Sequence, residues 1–208
     1  INLFAERMRR MFGMLKDLLH ETNENEFNKL FSRIEKYENI SDSMELEIAN
    51  YLNKVSEGRL SSESKLEIRG MLREVTEIES IGDSCYNLAR TINRKRSGGN
   101  DFTEKQYEHI HQMMQLTDDA LAHMIAVVED EHHAVDVNKS FNIENEMNNY
   151  RAQLKNQNVV DVNNKEYDYQ MGVHYMDLIG ECEKLGDYVV NVVEARTNVK
   201  EKKVGDNR

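Results

Sequence analysis

Two nine-residue segments of this chain carry Glu, Gly, Asp and Asn at the same four places, 104 residues apart. They are Glu79-Ser-Ile-Gly-Asp83-Ser-Cys-Tyr-Asn87 and Glu183-Lys-Leu-Gly-Asp187-Tyr-Val-Val-Asn191. Glu77 and Glu181 match at the same offset, as do the apolar pairs Ile81/Leu185 and Leu88/Val192. Further upstream, Asn39-Ile40 and Met44 recur as Asn142-Ile143 and Met147, 103 residues apart. A self-similarity with a period of half the chain means one supersecondary unit used twice.

Composition says which unit. The 208 residues include no proline, the residue that most often breaks helices, and only 10 glycines. Apolar residues recur by threes and fours. The first helix is predicted from Leu3 to His20, with Leu3, Met8, Met11, Leu15, Leu18 and Leu19 on one face. The second runs from Glu24 to Val55 along Phe27, Leu30, Phe31, Ile34, Tyr37, Met44, Ile48, Tyr51 and Val55. Gly58 ends it, and Ser61 or Ser62 caps a third helix reaching about Arg96. Ser97-Gly98-Gly99-Asn100 is the clearest turn. Thr103 followed by Gln106 is a capping box that opens a fourth helix, ending near Asp130. A fifth is expected from Val137 to Asn156 and a sixth from Asn163 to Arg196. The expected fold is all-α: two tandem three-helix bundles, residues 1–97 and 103–199, a linker at 98–102, and a charged tail at 200–208.

A net charge of −11 argues against nucleic acid, whose binding needs a basic surface to release counterions. No apolar run approaches the roughly 20 residues of a membrane span. Arg7, Arg9 and Arg10 form either a partner-facing basic patch or a solvated face. Cys85 falls in a helical apolar stripe with no base beside it, which reads as core.

On a helix, Glu79 and Asp83 stand one turn apart beside the apolar stripe Ile78, Ile81, Cys85, Leu88 and Ile92. Gly82 and Gly186 fall between stripe and flank, leaving room for a close helix or a ligand. Glu38, Asp42 and Glu45 form an acidic face beside the stripe of the second helix. If the second helix lies on the third, five carboxylates converge, and such a cluster repels itself unless a cation neutralises it. Oxygen donors suit hard divalent cations, and iron, manganese or zinc also accept them. The competing reading is a solvated face paired to lysine and arginine. The second unit offers Glu183 and Asp187, but Phe141, Asn145 and Asn148 stand where the first has acids, with Glu144 and Glu146 nearby.

The repeated Glu-Ser-Ile-Gly-Asp and Glu-Lys-Leu-Gly-Asp strings resemble the PhoU family of phosphate-uptake regulators over nearly the whole chain. The stretches Arg9–Met14, Ile34–Asp42 and Ile78–Leu88 are similar to PhoU-like domains on the C-terminal side of bacterial sodium/phosphate cotransporters, and a start at Ile1 fits removal of a membrane portion. The resemblance implies a cytoplasmic, non-enzymatic regulatory domain at the inner face of the cell membrane. Its partner would be a membrane phosphate transporter domain in the same full-length chain, and a homo-oligomer is among the assemblies it admits. It also implies metal binding through Glu79, Asp83, Glu183 and Asp187, with Asp42, Glu38 and Glu45 completing the first site. A standalone PhoU regulator and a metal-free helical scaffold are the alternatives.

Other chemistries have less support. A diiron bundle needs two Glu-x-x-His motifs and glutamates from two further helices, whereas Glu129–His132 lies near a helix end and Asp17-x-x-His20 is a weaker variant. Gly98-Gly99 lacks the lysine of a phosphate-binding loop. His132-His133 with Asp130 and Asp136 reads as a metal set or, more simply, as a polar turn.

Overall fold

In a computed structural model that describes residues 1–132 and 134–205, with side chains through Thr197, six helices follow one another and no strand occurs among the described residues. They are α1 (Asn2–His20), α2 (Glu24–Ser56), α3 (Ser62–Ser97), α4 (Glu104–Glu129), α5 (Asn138–Asn163) and α6 (Tyr169–Gly205). The caps of α3 and α4 are those the sequence announces, and Asn23 adds one for α2. Asn23 accepts from the Glu26 amide, Ser61 from that of Ser64, and Thr103 and Gln106 close a reciprocal capping box.

Each repeat is a three-helix unit, and the two share one core. Helices α1, α3, α6 and α4 form a closed ring of neighbours, with α3 against α6 the most extensive contact; α2 lies outside on α1 and α3, and α5 outside on α4 and α6. The shared interior joins Phe4, Met8 and Phe12 of α1, Ile78, Ile81 and Leu88 of α3, Met113 and Leu121 of α4, and Leu185 and Val192 of α6. Cys85 and Cys182 are both buried in it; burial pushes the Cys182 thiol up to about 12 and the Cys85 thiol higher still, as befits inert core residues.

Three expectations need correction. Helix α5 continues to Asn163 and α6 starts only at Tyr169. Val159, Val160 and Val162 extend the helix, and the turn falls at Lys165, whose φ of 59° is left-handed. Asn163-Asn164 therefore ends a helix instead of opening one. Leu3, expected on the buried face of α1, is 65% exposed. Tyr51, expected in the α2 stripe, is 68% exposed, whereas Leu154, its counterpart at the 103-residue offset, is 3% exposed.

The last difference has a geometric cause. Arg7 lies over the Tyr37 ring at 3.9 Å, so α1 covers only the first half of α2. In the second repeat α4 reaches farther along its partner. Tyr150 donates to Gln112 at 3.0 Å, and the His109 ring meets Tyr150 edge-on. The duplicated units thus differ in how much of the middle helix their first helix shields.

The early arginines split by role. Arg9 pairs with Asp118 of the other repeat at 3.2 Å, Arg10 with Glu6 on its own helix, and Arg7 with the Tyr37 ring. The Asp130 segment forms a polar turn, with Asp130 accepting from the amides of His132 and Val135. His133 lies outside the described residues.

Candidate metal centre

The site forms where α2 crosses α3. Ser41 is buried and its hydroxyl folds back onto the Tyr37 carbonyl at 2.6 Å. A Cβ at Gly82 would stand 3.1 Å from Met8 Sδ and 3.9 Å from Ser41 Cβ. Two small residues therefore let the helices close up, with the Met8 sulfur filling the space. The next residues along, Asp42 and Asp83, are brought face to face as a result.

Oxygens of Glu38, Asp42 and Asp83 lie within 4.8 Å of one another. Glu79 and Glu45 border the same centre. Burial, a hydrogen bond shared with Asp83 and the charges of Asp83, Glu45 and Asp42 push the Glu79 carboxyl up to about 8. Glu38 is raised by burial and then by Asp42 and Asp83, with Arg90 opposing, and Glu45 is raised by burial and the same two aspartates. Among the described residues no lysine or arginine forms an ion pair with any of the five. The Arg90 guanidinium lies over the Tyr86 ring and donates to Asn87 instead. The salt bridges weighed from the sequence are therefore not formed among the described residues, while Asp83 stays exposed to solvent.

The second repeat arranges its acids differently. Glu183 and Asp187 meet Glu144, which stands at the offset of Ser41, and Asp187 is pushed up to about 6 by burial, Glu183 and Glu144. Asn148 donates to Glu144 at 2.7 Å. Arg151 takes the position of Ile48 and brings Nε to 3.7 Å from Glu183, so a cation of the chain's own already sits there. Gly186, like Gly82, faces a methionine: its Cβ would stand 3.0 Å from the sulfur of Met147.

The asparagine of the repeated string joins neither centre. Asn87 donates to Glu181 on α6, and Asn191 donates to Glu77 on α3. Matched Glu77 and Glu181 were visible as part of the repeat; their pairing across it was not, because the antiparallel docking of α3 on α6 has no local signature.

The donor chemistry fits a cation in the first repeat. Five carboxylates from two helices, unneutralised, are the set a hard divalent or iron-type ion takes. The second repeat offers three carboxylates and an arginine, a poorer fit.

Two three-helix repeats around one core, with an interhelical acidic centre in the first, define a duplicated helical-bundle protein. The PhoU domain matches residues 1–92. That match covers the first repeat, and the whole chain shares its fold with solved PhoU structures. Among solved structures it is similar to the phosphate transport system regulatory protein PhoU from Streptococcus pneumoniae, with TM-score 0.74 and 16% identity, over 95% of this chain and 91% of that one. PhoU from Pseudomonas aeruginosa aligns with TM-score 0.85 and 10% identity, over 96% and 93%. No curated protein sequence matches the chain. None of its described helices is long and apolar enough to cross a membrane.

Proposed function

We propose that this chain is a PhoU-type regulatory module of phosphate uptake, acting at the inner face of the cell membrane by docking on a membrane phosphate transporter domain of the same full-length polypeptide. The observation that carries this reading is an uncompensated five-carboxylate centre lying within a PhoU domain. The module works by binding, without catalysis. Glu38, Asp42, Glu45, Glu79 and Asp83 hold the metal, which supplies the positive charge these groups lack. Held together in this way, α2 and α3 present one rigid face to the partner.

A standalone regulator is the second reading. It is supported by the likeness of the fold to two solved PhoU proteins.

The test is phosphate uptake in cells whose only copy carries Glu79→Gln and Asp83→Asn. Uptake at high external phosphate should depart from the parent by several-fold. Uptake and its response to phosphate equal to the parent's would contradict the proposal. Supplying residues 1–208 as a separate polypeptide to cells lacking the gene distinguishes the two forms, because restored control means a standalone regulator.

A further inference from the structure

A second group of ligating side chains lies away from the acidic centre, on the seam between repeats. His20 at the end of α1 and His111 on α4 face each other with their Nε2 atoms 2.6 Å apart and ring centroids 4.7 Å apart. Both rings are exposed, and they belong to different repeats. The two nitrogens share a hydrogen bond as they stand, and the same pair can take a borderline divalent ion in its place, since imidazole suits zinc, nickel and copper.

The surroundings keep these nitrogens available. Burial holds His20 below its ordinary range, with His111 and Lys95 adding to the effect and Asp101 opposing it. The nearby Lys95 ammonium is tied down by Asp101 at 2.5 Å and by the Tyr107 hydroxyl at 3.2 Å, and Tyr107 itself donates to Asp101. Lys16, one turn before His20, is drawn to Asp118 at 3.7 Å. On the open side His20 lines a groove of about 570 Å³ whose acids Asp17, Glu21 and Glu26 are matched by Lys16, Lys29 and Arg33, and which leaves room for water ligands. Zinc bonds of about 2.0–2.1 Å at tetrahedral angles need nitrogens about 3.3 Å apart, a spread that small side-chain rotations supply at an exposed site.

We propose that His20 and His111 form a metal site for a zinc-like divalent ion, which clamps α1 of the first repeat to α4 of the second. It is separate from the acidic centre in place and in chemistry: two imidazole nitrogens instead of carboxylate oxygens. It does not depend on the phosphate reading.

The test uses the full chain, free of any affinity tag and stripped with chelator. Glu79→Gln and Asp83→Asn neutralise the acidic centre in this background. Titration with zinc chloride by calorimetry should show one zinc per chain, and zinc should raise the melting midpoint by several degrees. His20→Gln or His111→Gln should each weaken binding at least tenfold and abolish the shift, with helical circular dichroism unchanged. Magnesium should give no heat, and zinc affinity should weaken in acid, because metal and proton compete for the same nitrogens. Zinc affinity within twofold of the parent in both histidine variants, or no zinc binding at millimolar concentration, would overturn the proposal.

Discussion

Asn87 on α3 donates a hydrogen bond to Glu181 on α6 at 3.3 Å, and the repeat generates its mate, Asn191 to Glu77 at 3.1 Å. As numbers rise along α3 they fall along α6, so the two long helices dock antiparallel about a pseudo-two-fold axis near Gly82 and Gly186. The asparagine that ends each repeated string holds the duplication together, while the glutamate and aspartate before it face the other way, toward α2 or α5.

This pair gives the first prediction. Each bond joins an amide to a partly buried carboxylate, an interaction worth about 1–2 kcal/mol. Asn87→Ala should lower urea stability by about that amount, and Asn87→Asp by more, because it sets two carboxylates side by side. An Asn87→Ala protein as stable as the parent would mean that the bond does not contribute.

The acidic centre predicts a pH dependence. The Glu79 carboxyl titrates at about 8 when folded against 4.5 as its ordinary value. Between those values the folded chain binds more protons than the unfolded one, so stability falls as pH rises. Below about pH 4.5 the contribution is fully present, and it is gone above about 8. Asp187, raised from 3.8 to about 6, adds a smaller loss lower in the range. In chelator-treated protein the melting midpoint should drop from pH 5 to pH 8, and Glu79→Gln should flatten that slope. A midpoint that rises over this interval would contradict the repulsive centre.

The two repeats should respond unequally to truncation of the middle helix. Leu154→Ala removes a buried side chain and should cost about 2–5 kcal/mol. Tyr51→Ala, at the equivalent position, should stay within about 0.5 kcal/mol. Chemical denaturation of both variants decides it, and equal losses would mean that α2 is covered as α5 is.

Arg151 tests the second centre. Arg151→Ile restores the residue type that Ile48 supplies in the first repeat and removes the cation beside Glu183. The Asp187 titration, followed by carboxyl NMR, should move above about 6, because Arg151 now holds it down. The variant should melt lower than the parent without metal and gain more from added divalent ions.

Much of this was legible in the residues. The Glu79/Asp83 and Glu38/Asp42/Glu45 faces could be placed because helical spacing fixes which side chains share a side, and the repeat fixed the unit. The weaker second centre could be read from Asn145 and Asn148. What stayed hidden depends on the relation between helices. Arg151 sits one turn from Asn148 and reads as an ordinary surface residue until α5 lies on α6. Tyr51 completes a regular apolar stripe, and no periodicity tells that α1 stops short of it. His20 and His111 are 91 positions apart in sequence, and only the α1–α4 seam makes them neighbours.

The most direct test of the central claim is elemental analysis of the untagged protein carrying His20→Gln and His111→Gln, so that the acidic centre is read alone. The account predicts metal at stoichiometric level, a lower melting midpoint on adding chelator, loss of metal in Asp42→Asn/Asp83→Asn, and retention in Glu183→Gln. Protein that carries no metal, takes up none from solution and melts the same with or without chelator would contradict it.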